Sequence, residues 1–278
     1  MLNNALYIVA TPIGNIQDIT LRALDVLKNA QVIACEDTRV TKKLFSLLGI
    51  KQDKTFISYQ NYNEEQKSQD IIDIITQGKS VALVSDAGSP LISDPGYKLV
   101  RKCSEQNIKV YTIPGASAVI SALQISGLPT NRFMFAGFIP NKEKARIDLF
   151  TELQHINTTL VFYETANRLC KTLEAIKKVF QNREIAVARE ITKLYEECIR
   201  ADANTLLEHY TNNTPKGEIV IMVSPPDEKS NNEYDIQKEL SIRLEKMSLK
   251  SAVKEVSALT GMNKNQVYDF ALRIKNEQ

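Results

Sequence analysis

The sequence predicts an α/β protein, two α/β domains followed by a small helical module, and three observations carry that expectation. Short apolar, β-branched runs such as Val81–Val84 stop at turns of small residues and give way to helical patterns, repeatedly, up to Ser126. After Gly127, Leu128 and Pro129 the same alternation restarts and continues to Val223. Beyond Pro225 and Pro226 only helical spacing remains. Domains are therefore expected over 1–120, 121–226 and 234–278, with the polar tract up to Glu233 as a linker.

In chain order, Leu6 to Ala10 reads as a strand running into Thr11, Pro12, Ile13, Gly14 and Asn15. Leu21, Ala23, Leu24, Val26 and Leu27 recur at helical spacing within Ile19–Ala30, and Val32 to Cys35 is a strand that exits into Glu36, Asp37, Thr38 and Arg39. Helices follow at Val40–Leu48 and Glu65–Thr76, the second stopped by Gly78 as a C-cap. Val81–Val84 is a buried strand ending in Ser85, Asp86, Ala87, Gly88, Ser89 and Pro90. Asp94, Pro95 and Gly96 then open a helix, with Asp94 as its cap and Pro95 at its first position. Lys109–Ile113 is a strand whose turn, Pro114 to Ala118, enters a helix. The second half offers strands at Phe133–Phe138, Thr159–Tyr163, Glu184–Ala188 and Gly217–Val223, and helices at Lys142–Gln154, Ala166–Phe180 and Thr205–Tyr210.

The 278 residues are 43% hydrophobic and 24% charged, ample for real cores and unlike a disordered chain. A net charge of +2 announces no global nucleic-acid field, so any RNA site must be a local patch. Cys35, Cys103, Cys170 and Cys198 stand far apart, as do His155 and His209, which argues against zinc or a disulfide framework. No apolar run approaches the roughly 20 residues of a membrane span, no basic leader opens the chain, and the expected setting is the cytoplasm. The glycines never fall in G-x-G spacing, which removes the usual dinucleotide fingerprint.

Three strand-exit turns, TPIGN, AGSP and PGASA, are built from small residues and proline. Small residues let a ligand approach peptide N–H and C=O groups, and proline limits the ordering entropy lost on binding. Ligands in open α/β sheets bind off the carboxyl ends of strands. These turns suit a zwitterionic, nucleoside-like molecule.

Taken with EDTR at 36–39, SDAGSPLISDPG at 85–96, GFIP at 137–140, FYET at 162–165, AREITK at 188–193 and KGE at 216–218, the turns resemble one family, in order, over residues 6–223. That family is the small-subunit ribosomal RNA 2′-O-methyltransferases, which methylate a cytidine ribose in the 16S decoding centre and belong to the tetrapyrrole methylase superfamily. The resemblance implies a homodimer and S-adenosylmethionine held in a cleft between two α/β domains. Thr11, Pro12, Ile13 and Gly14, then Gly88, Ser89, Pro90 and Ile92, then Ser117 and Ala118, would hold it from the first half, and Tyr163, Ala188 and Gly217 from the second. Ser89 stands where the wider superfamily commonly has a carboxylate, and Tyr195 and Ala201 replace an expected His and Gly.

Transfer of a sulfonium methyl to a ribose hydroxyl needs alignment and a proton acceptor, and requires no metal. Glu36, Asp37 and Asp86, at strand exits beside the cofactor turns, are the candidate bases. Arg39, Arg168, Arg189 and Lys193 are the candidate RNA phosphate contacts, although Glu36 with Arg39 can equally be a structural pair. Two other readings stay open, a tetrapyrrole or diphthine-type small-acceptor methylase and a nucleic-acid-binding regulator that senses a nucleoside. The EDTR block and the C-terminal appendix count against the first of these.

In that appendix Ile236, Leu240, Ile242, Leu244 and Met247, then Val253, Val256 and Leu259, then Val267, Phe270, Ala271 and Ile274 form apolar helical faces, with Gly261 as a stop. The pattern resembles a helix-turn-helix. Its eight cations against six anions leave RNA binding and a packing or dimer-bracing role equally open.

Overall fold

The computed structural model of the protein describes residues 2–226, 228–260 and 263–276. Its first half is an all-parallel sheet of β1 (Leu6–Val9), β2 (Val32–Cys35), β3 (Thr55–Ser58), β4 (Val81–Val84) and β5 (Val110–Ile113), in the order β3-β2-β4-β1-β5. β2 and β4 are buried at every residue, so their sequences are continuous apolar runs, as strands covered on both faces require. Ile33 and Cys35 face a core with Val26, Leu27 and Phe45, while Val32 and Ala34 face another with Ile71, Ile72 and Leu99. Helices α1 (Leu21–Asn29), α2 (Thr38–Leu47), α3 (Glu64–Thr76) and α4 (Tyr97–Glu105) supply those residues. Thr20 caps α1 by accepting the Ala23 N–H at 3.1 Å, and Gly78, at φ +93°, takes the left-handed turn after α3.

The second sheet runs β6-β7-β10-β8-β9, from β6 (Phe133–Phe138), β7 (Thr159–Thr165), β8 (Ile185–Arg189), β9 (Glu197–Ala201) and β10 (Glu218–Val223). Only the β6–β7 pair is parallel. One face packs on α6 (Glu143–Leu153), α7 (Leu169–Phe180) and α8 (Ala203–Asn212) through Phe150, Leu173, Ile176 and Leu206. The other face receives α5 (Ala118–Ser126), whose Val119, Ala122 and Leu123 lie against Val161, Ala186 and Val220. Helix α5 leaves the first sheet yet packs on the second, which fixes the two layers around a shared cleft.

Helices α9 (Glu228–Leu244), α10 (Leu249–Thr260) and α11 (Lys264–Asn276) pack on one another around Ile236, Leu240, Val253, Val256, Val267 and Ala271. Ile242, expected on the apolar face, is instead exposed. The Leu259 side chain and Gly261 lie outside the described residues.

Three expectations need correcting. β3 and β9 carry no strand signal in the reading above, because as edge strands they are only partly covered and mix polar with apolar residues. The tract expected as linker up to Glu233 is helical from Glu228. Helix α4 begins at Tyr97 with Gly96 as its cap, so Asp94 is not the cap and Pro95 is not the first helical residue. Among the described residues no helix is long and apolar enough to cross a membrane.

Candidate active site

The three small-residue turns converge at the carboxyl ends of β1, β4 and β5. Thr11 and Gly88 exchange backbone hydrogen bonds of 2.8 and 3.1 Å in an isolated antiparallel bridge, and the buried Thr11 hydroxyl donates to the Ser85 carbonyl at 3.3 Å. Ser89 Oγ donates to the Ala116 carbonyl at 3.2 Å, tying in the third turn. Adjacent strands β1 and β4 send their connections in opposite directions across the sheet, β1 toward β2 and β4 toward β5, which opens a crevice at that point.

A cavity of about 460 Å³ occupies this crevice, within the usual range for small-molecule sites. Ile13, Gly88, Ser89, Ile92, Ser117 and Ala118 line it from the first half, and Tyr163 and Gly217 from the second. The remaining expected cofactor residues stand behind this lining. Thr11 braces the turn, Pro12 and Pro90 stiffen it, and Ala188 is buried in the core beneath. Gly14 meets the other half of the molecule, where an added Cβ would lie 2.6 Å from Lys193 Cγ and 2.7 Å from Thr192 Oγ1.

Glycine is required at two of these positions. Gly88 has φ +77°, and a Cβ there would sit 3.2 Å from Ile13 Cγ2. At Gly217, φ +86°, a Cβ would fall 2.1 Å from Glu190 Oε1.

Of the candidate bases, Glu36 and Asp86 line the cavity and Asp37 does not. Asp37 caps α2, accepting the Arg39 N–H at 2.8 Å, and its carboxylate holds the Arg39 guanidinium at 2.6 Å. Those bonds keep its pKa down at about 2. Glu36 and Asp86 are raised instead, mainly because burial penalises their charged forms, and secondarily because carboxylates crowd them. Sequence reading set Asp94 aside as a cap, yet it too lines the cavity and is raised by burial, with Asp86 adding to the shift and the Ser85 hydroxyl opposing it. Freed from capping by the glycine at 96, it becomes the third carboxylate on the first-half wall of the cleft, opposite Glu164 and Glu218 on the second. The signal was the Pro-Gly pair after it, which delays the helix.

The capping task falls to Glu64. Its Oε1 accepts the N–H groups of Gly96 at 2.9 Å and Lys98 at 3.2 Å, and the Tyr59 hydroxyl at 3.1 Å. It thereby anchors a loop in which Leu91 and Ser93, at φ 73° and 68°, occupy the left-handed region.

The second-half wall is ionically closed. Glu164 is buried and binds Arg168 at 2.6 Å, the Thr172 hydroxyl at 2.6 Å and the Thr165 N–H at 2.7 Å. Lys193 holds Glu190 and Glu218, each at 2.9 Å, and Arg189 holds Glu197 at 2.6 Å. Arg39 is ion-paired as well, to Asp37, and differs from Arg168, Arg189 and Lys193 in exposure: its side chain is 89% exposed at the first-half rim. Tyr163 stands edge-on to Phe135 and Phe138, with burial pushing its phenol up to about 12.

Residues 5–207 match the family described as Tetrapyrrole (Corrin/Porphyrin) Methylases, and residues 232–275 match the RsmI C-terminal HTH domain. The chain is 48% identical to Ribosomal RNA small subunit methyltransferase I of Erythrobacter litoralis, covering 99% of this chain and 96% of that protein. It is 44% identical to the protein of the same name from Rickettsia prowazekii, covering 88% and 87% respectively. Among solved structures it resembles a diphthine synthase, with a TM-score of 0.61 and 14% identity over 79% of this chain and 89% of that one. A cobalt precorrin-4 methyltransferase gives 0.57 and 15% over 80% and 95%. These two likenesses concern the fold alone.

Proposed function

Because this chain belongs to the ribosomal RNA small subunit methyltransferase I family of tetrapyrrole methylases, we propose that it methylates a cytidine ribose 2′-hydroxyl in the decoding centre of 16S ribosomal RNA, with S-adenosylmethionine as donor. The observation that carries the reading is the cleft itself, where small-residue turns and the three first-half carboxylates Glu36, Asp86 and Asp94 share one cavity.

The residues fit the donor. The backbone around Gly88 and Ser89 lies open to close approach, Ile13, Ile92 and Tyr163 offer apolar surface to an adenosyl group, and the carboxylates suit a cationic sulfonium. When bound, S-adenosylmethionine supplies an electrophilic methyl group. Glu36 or Asp86 takes the proton from the 2′-hydroxyl, since a carboxylate whose pKa burial raises is a better proton acceptor than an ordinary one. Asp37 serves as a structural cap, and its low pKa makes it a poor base. Arg39, exposed beside the cleft, contacts RNA phosphate. The helical module at 234–278 helps hold ribosomal RNA, and the working unit is a homodimer in the cytoplasm.

The deciding experiment is methyl incorporation from labelled S-adenosylmethionine into isolated small ribosomal subunits, set against porphyrinogen and protein acceptors. Label on a cytidine ribose supports the reading, and label on either other acceptor overturns it. Deleting residues 230–278 tests the module. RNA binding by it predicts weaker subunit affinity and a flatter salt dependence. Unchanged affinity with a dissociated dimer makes it a brace.

A further inference from the structure

A second cavity, of about 570 Å³, lies in the second half of the chain and takes no part in the chemistry above. Its walls include Arg189, Tyr195, His209, Tyr210 and Lys216, with Glu190 and Glu197 as the acidic members. Both acids are already matched, Glu197 by Arg189 and Glu190 by Lys193. Among the described residues Lys216 makes no ion pair, which leaves its ammonium free to meet an anion. Tyr210 is 2% exposed, and its hydroxyl finds no hydrogen-bond partner among the described residues. An unsatisfied buried donor costs on the order of 1–3 kcal/mol, and such a group calls for an acceptor. Tyr195, 68% exposed at this cavity, presents a ring to solvent.

The second cavity adjoins the first. Lys216 lines one and Gly217 and Glu218 line the other, so a single turn of chain divides them. The dividing strip is rigid. Glu190 donates its N–H to the Glu218 carbonyl at 3.1 Å, its carboxylate packs against Gly217, and Lys193 clamps Glu190 to Glu218. A strand whose reacting ribose sits in the cleft can cross this strip and place an adjacent linkage in the second cavity.

Resting on the reading of the cleft as an RNA methylation site, we propose that the second cavity binds the phosphodiester of a nucleotide flanking the methylated one. Lys216 supplies the charge, the Tyr210 hydroxyl and His209 supply donors, and Tyr195 offers a stacking face to the attached base.

The test uses the full-length protein and a single-stranded oligoribonucleotide centred on the target cytidine, with affinity measured across salt. Lys216→Ala should weaken binding several-fold and lower the salt slope by about 0.7, the loss of one phosphate contact to a single strand. Tyr210→Phe, which keeps the ring and the fold, should weaken binding without changing the slope. Replacing one flanking phosphodiester by a neutral methylphosphonate should reproduce the Lys216→Ala loss in the parent and cost nothing more in the variant. Inorganic phosphate that competes with the parent as well as the oligonucleotide does would mark a free-phosphate site and overturn the proposal. Unchanged affinity and slope in Lys216→Ala, with small subunits still methylated, overturns the proposal and leaves the methylation reading standing. Failure of the parent to methylate any small subunit overturns that reading itself.

Discussion

The two walls of the cleft are both rich in charge, but they use it in opposite ways. On the first-half wall Glu36, Asp86 and Asp94 face the cavity and form no ion pair among the described residues, and burial raises all three, with the Asp37 N–H and Arg39 opposing the shift at Asp86. On the second-half wall Glu164 and Glu218 are clamped by Arg168 and Lys193, and the same lysine also holds and lowers Glu190, which lines the second cavity. A carboxylate poised to accept a proton must be uncompensated, whereas one that shapes a wall must be paired. The difference separates the wall to which the proposed chemistry is assigned from the wall whose charges are paired.

The largest effect that would sharpen this division is expected from the amides. Glu36→Gln or Asp86→Asn should lower kcat by about 10²–10⁴-fold with cofactor affinity retained, while Asp37→Asn should spare turnover. Single-turnover methyl transfer measures this, and parent-like rates in both amides would place the base elsewhere. The parent's rate should rise with pH along a limb above the ordinary carboxylate range. Stability should move the other way there, because the folded state holds those protons more tightly than the unfolded chain, and ionising them as pH rises opposes folding. Asp37 has the reverse sign: its contribution is present above the ordinary aspartate range and is lost as pH falls toward about 2.

Next in size is Ser89→Arg, which puts bulk into the cavity lining at a position with no left-handed strain. Overpacking of about 1–3 kcal/mol corresponds to cofactor affinity weakened about 10–100-fold, read by calorimetry. Equal affinity would remove the cofactor from this turn. Glu64→Ala strips three donors of their acceptor and should cost about 1–3 kcal/mol in urea unfolding, with a raised KM for the donor, and Glu64→Gln should recover part of both.

Lys193→Met probes the paired wall. It should cost less than about tenfold in kcat, since a half-buried surface pair contributes about 1 kcal/mol or less. A loss as deep as that of the amides would collapse the distinction between the walls. The smallest effect is expected of Arg39→Ala, a flattening of the RNA salt slope by about 0.7–0.9 with donor affinity unchanged. Parent-like slopes in filter binding would show that Arg39 serves only its pair with Asp37.

Local patterning alone determined much of this protein. Continuous apolar runs such as Val81–Val84 had to be strands covered on both faces, and small-residue turns after them had to expose backbone, so the α/β layers and the strand ends that line the cavity were legible without coordinates. The family resemblance was legible too, because its motifs sit in those same turns. What the sequence left open was decided by partners distant along the chain. Edge strands β3 and β9 draw their order from a single neighbour each, so their own residues carry little pattern. Asp94 reads as a cap until Glu64, 32 residues away from Gly96, takes that role and leaves it in the cleft. Glu36 and Asp37 are adjacent in sequence and chemically alike, and only the capping of α2 and the approach of Arg39 drive their proton affinities apart. Proton affinity depends on burial and on nearby charge in space, and neither is a property of sequence position.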